Sequence, residues 1–258
     1  MRRFQLLLTE LAASGIKEKN LDGKVRLSLP LYKLEYEFER VVRSKIYGKP
    51  SKDGLPLIMD TPKLIIKQLL SDINRLPLRE FEEFNRSIQN LKNSNHLLGH
   101  LKNGKTIDLP FLKEPGDFRM PRCQISEPNI TEHNKLGSIN MDISLYNGDV
   151  INKLPLQLDK ITLFFCLLSF YCNYSPNKIT FSLICPYCEF NEHGKLNEYL
   201  QKKPTFKVMK VKPGLASLYT IKKSDIEFSL WKFENELISS FSFFIKEKSR
   251  NFSGPYKI

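Results

Sequence analysis

The sequence has no apolar run long enough to cross a bilayer. Its most apolar stretch, Ile161 to Cys172 (ITLFFCLLSFYC), holds twelve residues; a membrane-spanning helix needs ~20. The stretch is expected to be a buried helix instead. No signal peptide is expected at the start of this sequence either. In Met1 to Gly15 (MRRFQLLLTELAASG) the apolar run is broken by Glu10 and no small-residue cleavage site follows. Phe4, Leu7, Leu8 and Leu11 fall on one helical face, so the segment is expected to stay in the mature protein as an amphipathic helix. Cysteines are few and odd in number, at 123, 166, 172, 185 and 188. With no export signal visible, reduced thiols in a cytoplasmic setting are expected.

Catalytic patterns are lacking too. GxGxxG does not occur; Gly99 to Thr106 (GHLKNGKT) has the GxxxxGK[ST] spacing, but it follows a helical stripe and precedes a proline-rich stretch instead of lying between a strand and a helix, so a phosphate cradle is not expected there. His96 and His100 stand four apart, but without the glutamate of HExxH and with Gly99 between them. No nucleophile has an obvious base. Glu82 and Glu83 beside Arg79 read as a charged helix face. The chain is therefore expected not to be an enzyme and to need no cofactor. No metal is expected either. Cys185-Pro-Tyr-Cys188 has zinc-knuckle spacing, with His193 and Cys172 as candidate further ligands, but a second CxxC or HxxxH pair is missing. A redox CxxC should open a helix; this one follows the strand-like Ile179 to Ile184.

Acids are scarce against bases: 28 Asp and Glu face 40 Lys and Arg across 258 residues, a formal charge of +12. Such a balance invites nucleic acid or an acidic surface. However, 29 of the 40 cations are lysines, and bidentate base or phosphate recognition favours arginine. The sharpest local signal runs from Lys202 to Lys223, with seven lysines, no acid, and Phe206 and Tyr219 interleaved. Single-strand binders combine such charge with stacking aromatics; the alternative is the solvated face of an amphipathic sheet. Nucleic-acid binding through 202–223 is thus the second functional reading.

With 41% apolar and 26% charged residues, the chain has the composition of a folded protein. Val25, Leu27 and Leu29 alternate as a strand that Pro30 ends. Leu34, Tyr36 and Phe38 continue the alternation before helical spacing at Val41 and Val42. Tyr47 to Pro56 is rich in breakers and reads as a loop. Thr61-Pro62 opens a helix carrying Leu64, Ile65, Leu69 and Leu70. A second helix from Leu78 to about Leu91 has Phe81, Phe84, Ile88 and Leu91 along one stripe. Asn93 to Gly104 is polar and divides region 1–95 from region 104–258. In the second region four prolines between 110 and 128 forbid a long helix. Strands are expected at Ile139 to Tyr146, Lys178 to Ile184, Pro204 to Val211 and Leu215 to Ile221. Helices are expected at Leu158 to Tyr171 and Lys195 to Gln201; the tail from Phe228 to Ile245 fits either state. The fold class is α+β, with a helix-rich N-terminal half and a mixed strand and helix C-terminal half.

The order of features from Phe4 to Leu91 resembles the TssG family, baseplate wedge proteins of type VI secretion systems. Phe4-Gln5-Leu6-Leu7-Leu8 stands where that family has an FFQLxRLL helix, and Val25-Arg26-Leu27 where it has a VRF-like strand. Gly54-Leu55-Pro56 matches the end of its glycine-rich loop. Phe81 followed by Phe84-Asn85-Arg86 is similar to its FxxxFNHR signature without the histidine. In the second half, the strand, Leu154-Pro155, apolar helix and strand order is similar to the family's repeating unit, while the tryptophans of its LGWxxWL segment are absent around Gly214 to Leu218. The Lys- and Asn-rich character resembles divergent members of the kind carried on Francisella pathogenicity islands. The resemblance implies a structural wedge component that joins TssF-like subunits and contacts TssE-like and TssK-like subunits near the VgrG spike. It also implies a cytoplasmic location, docked at the inner-membrane secretion complex. Phe81, Phe84, Asn85, Arg86, Ile88 and Leu91, with Gly54, Leu55 and Pro56, become candidate partner-binding residues; for the helical stripe, an intramolecular core is an equal alternative.

Overall fold

The computed structural model describes residues 2–20, 22–39, 49–50, 62–94, 104–113, 120–127, 138–146, 148–172, 174–201, 207–211, 226–230 and 242–245. Helix α1 (Arg2–Ser14) is followed by strands β1 (Ile16–Lys19), β2 (Val25–Ser28), β3 (Leu31–Glu39) and the short β4 (Lys49–Pro50). Helices α2 (Pro62–Asn74) and α3 (Leu78–Ser94) complete the N-terminal half. Then come β5 (Lys105–Asp108), β6 (Arg122–Ser126), β7 (Ser138–Tyr146), α4 (Leu154–Tyr171), β8 (Ser175–Ile184), β9 (Tyr187–Glu189), α5 (His193–Gln201), β10 (Lys207–Val211), β11 (Ile226–Leu230) and β12 (Ser242–Ile245). The class is α+β, with helices concentrated in the first half.

Six strands form the central sheet in the order β4-β3-β8-β7-β6-β5. All neighbours are antiparallel except β7 and β8, which run parallel because α4 carries the chain back between them. The alternation read in β3 and β7 sends one row of side chains to a single face. In register across five strands lie Leu34, Phe181, Ile143, Cys123 and Ile107, all buried. Helix α4 lies against β8, and α2 against α4; α1 lies against β3, and α3 against β5. Phe4, Leu7, Leu8 and Leu11 of α1 join the same core as the α4 residues. Regions 1–95 and 104–258 therefore share one sheet and one core.

A second sheet, β1-β2-β9, is joined to the first by a bend. Leu27 opposes Cys188 and Leu31 opposes Ile184, so the β2–β3 chain and the β8–β9 chain keep a single register through it. Pro30 and Pro186 sit at the break. The ladder is carried there by the Leu29 N–H to the Pro186 carbonyl at 3.0 Å and the Cys185 N–H to the Pro30 carbonyl at 3.3 Å. Cys185 is the one non-glycine residue with positive φ among those described, at 55°. Burial shifts with it: Ile179, Phe181 and Leu183 are buried before the bend, Pro186 and Cys188 after it. At the end of α1, a Cβ on Gly15 would stand 2.3 Å from the Leu11 carbonyl oxygen, so only glycine fits that turn.

The four prolines between 110 and 128 argue against a long helix but not against short strands, and β5 and β6, on either side of Pro110, were not anticipated from the sequence. Both are short, and they form by pairing with β7 rather than by strong local preference. Lys49–Pro50 pairs with Phe38 and Glu39 inside the expected loop. Thr61, Val41, Val42 and the strand expected at 215–221 lie outside the described residues.

Candidate functional site

Helix α3 carries most of the sequence-derived candidates, and its apolar stripe turns inward. Phe84, Ile88 and Leu91 are at most 2% exposed, and Phe81 is half-buried against the same core. Phe84 meets Phe111 edge-on at 5.8 Å and lies 5.8 Å from Phe164 of α4, while Phe111 and Phe164 stand 5.0 Å apart. Three rings from three elements thus form one aromatic cluster. Of the two readings of this stripe, the folded chain takes the intramolecular one, because α4 supplies an apolar surface for it to cover. The expectation of Phe84, Ile88 and Leu91 as a docking face is corrected accordingly. Of the remaining α3 candidates, Asn85 is half-buried and Arg86 exposed. Gly54, Leu55 and Pro56 lie outside the described residues.

The far end of α3 is pinned by polar contacts. Gln89 Nε2 donates to the Tyr171 hydroxyl at 2.9 Å, and Lys92 Nζ stands 3.9 Å from the centre of the same ring. Lys105 of β5 donates to the Asn90 carbonyl at 3.0 Å and to Ser94 Oγ, placing a cation at the negative end of the helix. Between α2 and α4, Lys160 Nζ meets Asp72 Oδ2 at 2.8 Å.

The Cys185–Cys188 pair falls on the bend and on β9. Cys188 is buried, its thiol donates to the Glu189 carbonyl at 3.3 Å, and desolvation pushes it up to about 11. Cys172 directly follows α4 and is pushed up to about 12 by burial, despite Lys92 and Lys105 nearby. Burial also raises Cys123 and Cys166. Burial thus keeps these four thiols protonated at neutral pH in the chain as it stands, which leaves them poor nucleophiles. Among the described residues no group of three or more His, Cys, Asp or Glu side chains is placed to hold a metal ion.

Of the basic segment 202–223, only β10 lies within the described residues. Lys207 and Lys210 are three apart in that strand, which puts them on opposite faces. Lys210 also sits in register with Glu227 of β11. The remaining lysines of the segment lie outside the described residues.

Two features were not anticipated. Asp149 is buried before α4: its Oδ1 accepts the N–H groups of Ile151 and Asn152 at 3.0 Å each, and its Oδ2 accepts from Asn152 Nδ2. Asn152 also reaches Glu192 at 3.0 Å, and Glu192 takes Lys195 at 3.1 Å. This chain of bonds fastens the start of α4 to the segment before α5. Asn152 and its partner Glu192 lie 40 residues apart in the sequence, so nothing in either local pattern announces the contact.

The second feature is the sheet face turned away from the helices. One row across it reads Lys33, Ser182 and Ser144; the next reads Glu35, Thr180, Asp142, Gln124 and Thr106. At the end nearest the bend the row is Leu31, Ile184 and Tyr146, with Leu31 60% and Tyr146 52% exposed. Beyond the bend, Arg26 bonds Glu18 at 2.9 Å and stacks on Tyr187 at 4.9 Å. The Ser28 hydroxyl first, and Arg26 second, hold Glu18 below the usual carboxylate range. The period-two pattern of β3 and β7 marks residues of this face; only the register shows which of them adjoin.

Compared with protein-family models and with curated proteins, the sequence matches none. No helix among the described residues is long and apolar enough to cross a membrane.

Proposed function

We propose that this chain is a non-catalytic structural component of a contractile injection baseplate, a wedge protein similar to TssG, acting through contacts with TssF-like, TssE-like and TssK-like subunits near a VgrG spike. The ordered series of short motifs between Phe4 and Arg86 carries this reading. Its ends fall on α1 and α3, and its Val25-Arg26-Leu27 member falls on β2. The row of exposed Leu31, half-buried Ile184 and exposed Tyr146 supports it as an apolar surface on which another subunit can be seated. In this reading the chain works in the cytoplasm, docked at the inner-membrane complex.

The test is co-purification of the full chain with its TssF-like neighbour, together with fluorescence imaging of sheath assembly in a deletion strain. Recovery of a stable complex and loss of sheaths are expected. Sheaths that assemble normally without the protein would sink the proposal. A salt titration against single-stranded DNA and RNA separates the second reading, since phosphate-driven binding weakens steeply as salt rises.

A further inference from the structure

Strand β5 closes the six-stranded sheet at the end opposite β4. It pairs with β6 from Lys105 through Asp108 without a bulge, and the Leu109 N–H carries that ladder on to the Pro121 carbonyl at 2.7 Å. Along an antiparallel strand, residues that bond the neighbour alternate with residues whose main-chain groups point the other way. With Leu109 turned toward β6, Ile107 and Lys105 turn the same way, so the N–H and C=O groups of Thr106 and Asp108 point outward. Among the described residues no strand pairs with them, and Thr106 is exposed. Such an edge is a template for another strand unless a lysine, a proline or a bulge blunts it. Strand β5 has neither proline nor bulge. Its one lysine, Lys105, is turned back onto α3, where Nζ meets the Asn90 carbonyl at 3.0 Å.

The side chains of this edge select the incoming strand. If a second copy of β5 lies antiparallel across a two-fold axis at Ile107, Thr106 faces Asp108 of the other copy and Asp108 faces its Thr106. Each of these pairs exchanges two main-chain bonds, four in all. On the sheet face turned away from the helices, each Asp108 carboxylate is already held by Arg122 of its own chain at 2.6 Å. The Thr106 hydroxyl of the other copy then donates to it from the open side. Moving the axis to Thr106 leaves Asp108 opposite Gly104. Moving it to Asp108 sets carboxylate against carboxylate and Thr106 against Pro110, which has no N–H to give. A two-fold contact is self-complementary by construction, and like charges directly opposite destabilise. We infer that the chain self-associates as a two-fold dimer through antiparallel pairing of its β5 edges, in the register that joins Thr106 to Asp108 of a second copy. The inference does not rest on the baseplate reading; either can fail alone.

Sedimentation of the full-length chain over a concentration series tests it. The mass is expected to rise from the 30.1 kDa of one chain toward twice that value. Thr106→Pro removes an outward N–H that the β5–β6 ladder does not use, and with it two of the four bonds between copies. Association should weaken roughly tenfold or more. Thr106→Asp sets carboxylate against carboxylate twice per dimer and should weaken association roughly tenfold, whereas Thr106→Lys sets an ammonium against Asp108 twice and should strengthen it. Circular dichroism establishes that each variant is folded; should Thr106→Pro fail to fold, the two charge variants decide. A parent chain that stays monomeric at every concentration overturns the inference, and so does a dimer that Thr106→Asp and Thr106→Lys leave equally tight.

Discussion

Cys185 gives its backbone N–H to the carbonyl of Pro30 while holding φ at 55°. A left-handed backbone costs an ordinary L-residue roughly 1–2 kcal/mol, and a residue before proline is normally driven to extended geometry. The two small sheet ends are nevertheless joined through this point, because the continuous register on either side fixes it from both directions.

The first prediction concerns that bend. Stability should follow Cys185→Gly above Cys185→Ala above Cys185→Val, spanning about 1–2 kcal/mol, since glycine relieves the strain and a β-branched residue worsens it. Urea denaturation of the three variants measures the order. A valine variant as stable as the glycine variant would show that the bend is not held in this conformation.

A second prediction separates core from contact surface on α3. Phe84→Ala should destabilise the isolated chain by about 3–5 kcal/mol, because it opens a cavity between Phe111 and Phe164. Arg86→Ala, on the exposed side of the helix, should change stability by less than ~0.5 kcal/mol. Equal stability of the two variants would return Phe84 to the surface.

The buried thiols make a third, pH-dependent prediction. An unfolded thiol ionises near ~8.5, whereas Cys188 and Cys172 in the fold are pushed up to about 11 and about 12. The unfolded chain therefore holds fewer protons than the native one above the lower value, and stability must fall with rising pH. The contribution is complete below ~8.5 and is lost as pH climbs through 11 and 12. Chemical denaturation between pH 8 and 11 should show a decline that is shallower in Cys188→Ala. At pH 8 a thiol reagent should modify Cys185 well before the other four cysteines.

The junction at Asp149 yields a fourth. Asp149→Ala strips the partners from two backbone N–H groups in a buried turn and should cost about 1–3 kcal/mol. Hydrogen exchange at Ile151 and Asn152 should accelerate in the variant. Protection unchanged from the parent would mean the turn is held by other contacts.

Periodicity alone placed α1, α3, α4, β7 and most of β3, since their buried residues recur at helical or strand spacing over many positions. The stripe of α3 was legible as a stripe, but its destination was not. A helix reads the same whether its apolar face meets a neighbouring subunit or its own chain, and only the position of Phe111 and Phe164 decides. β5 and β6 stayed hidden because four-residue and five-residue strands owe their existence to the partner beside them. The open sheet face was half legible: Lys33, Glu35 and Glu37 alternate in plain view, yet their neighbours Lys178, Thr180 and Ser182 lie over 140 residues away. The sequence by itself determined which residues must be buried, because removing apolar side chains from water depends on local pattern. Tertiary structure alone decided what they are buried against, and which polar rows adjoin on the surface, because register and crossover are properties of paired strands and not of any one segment.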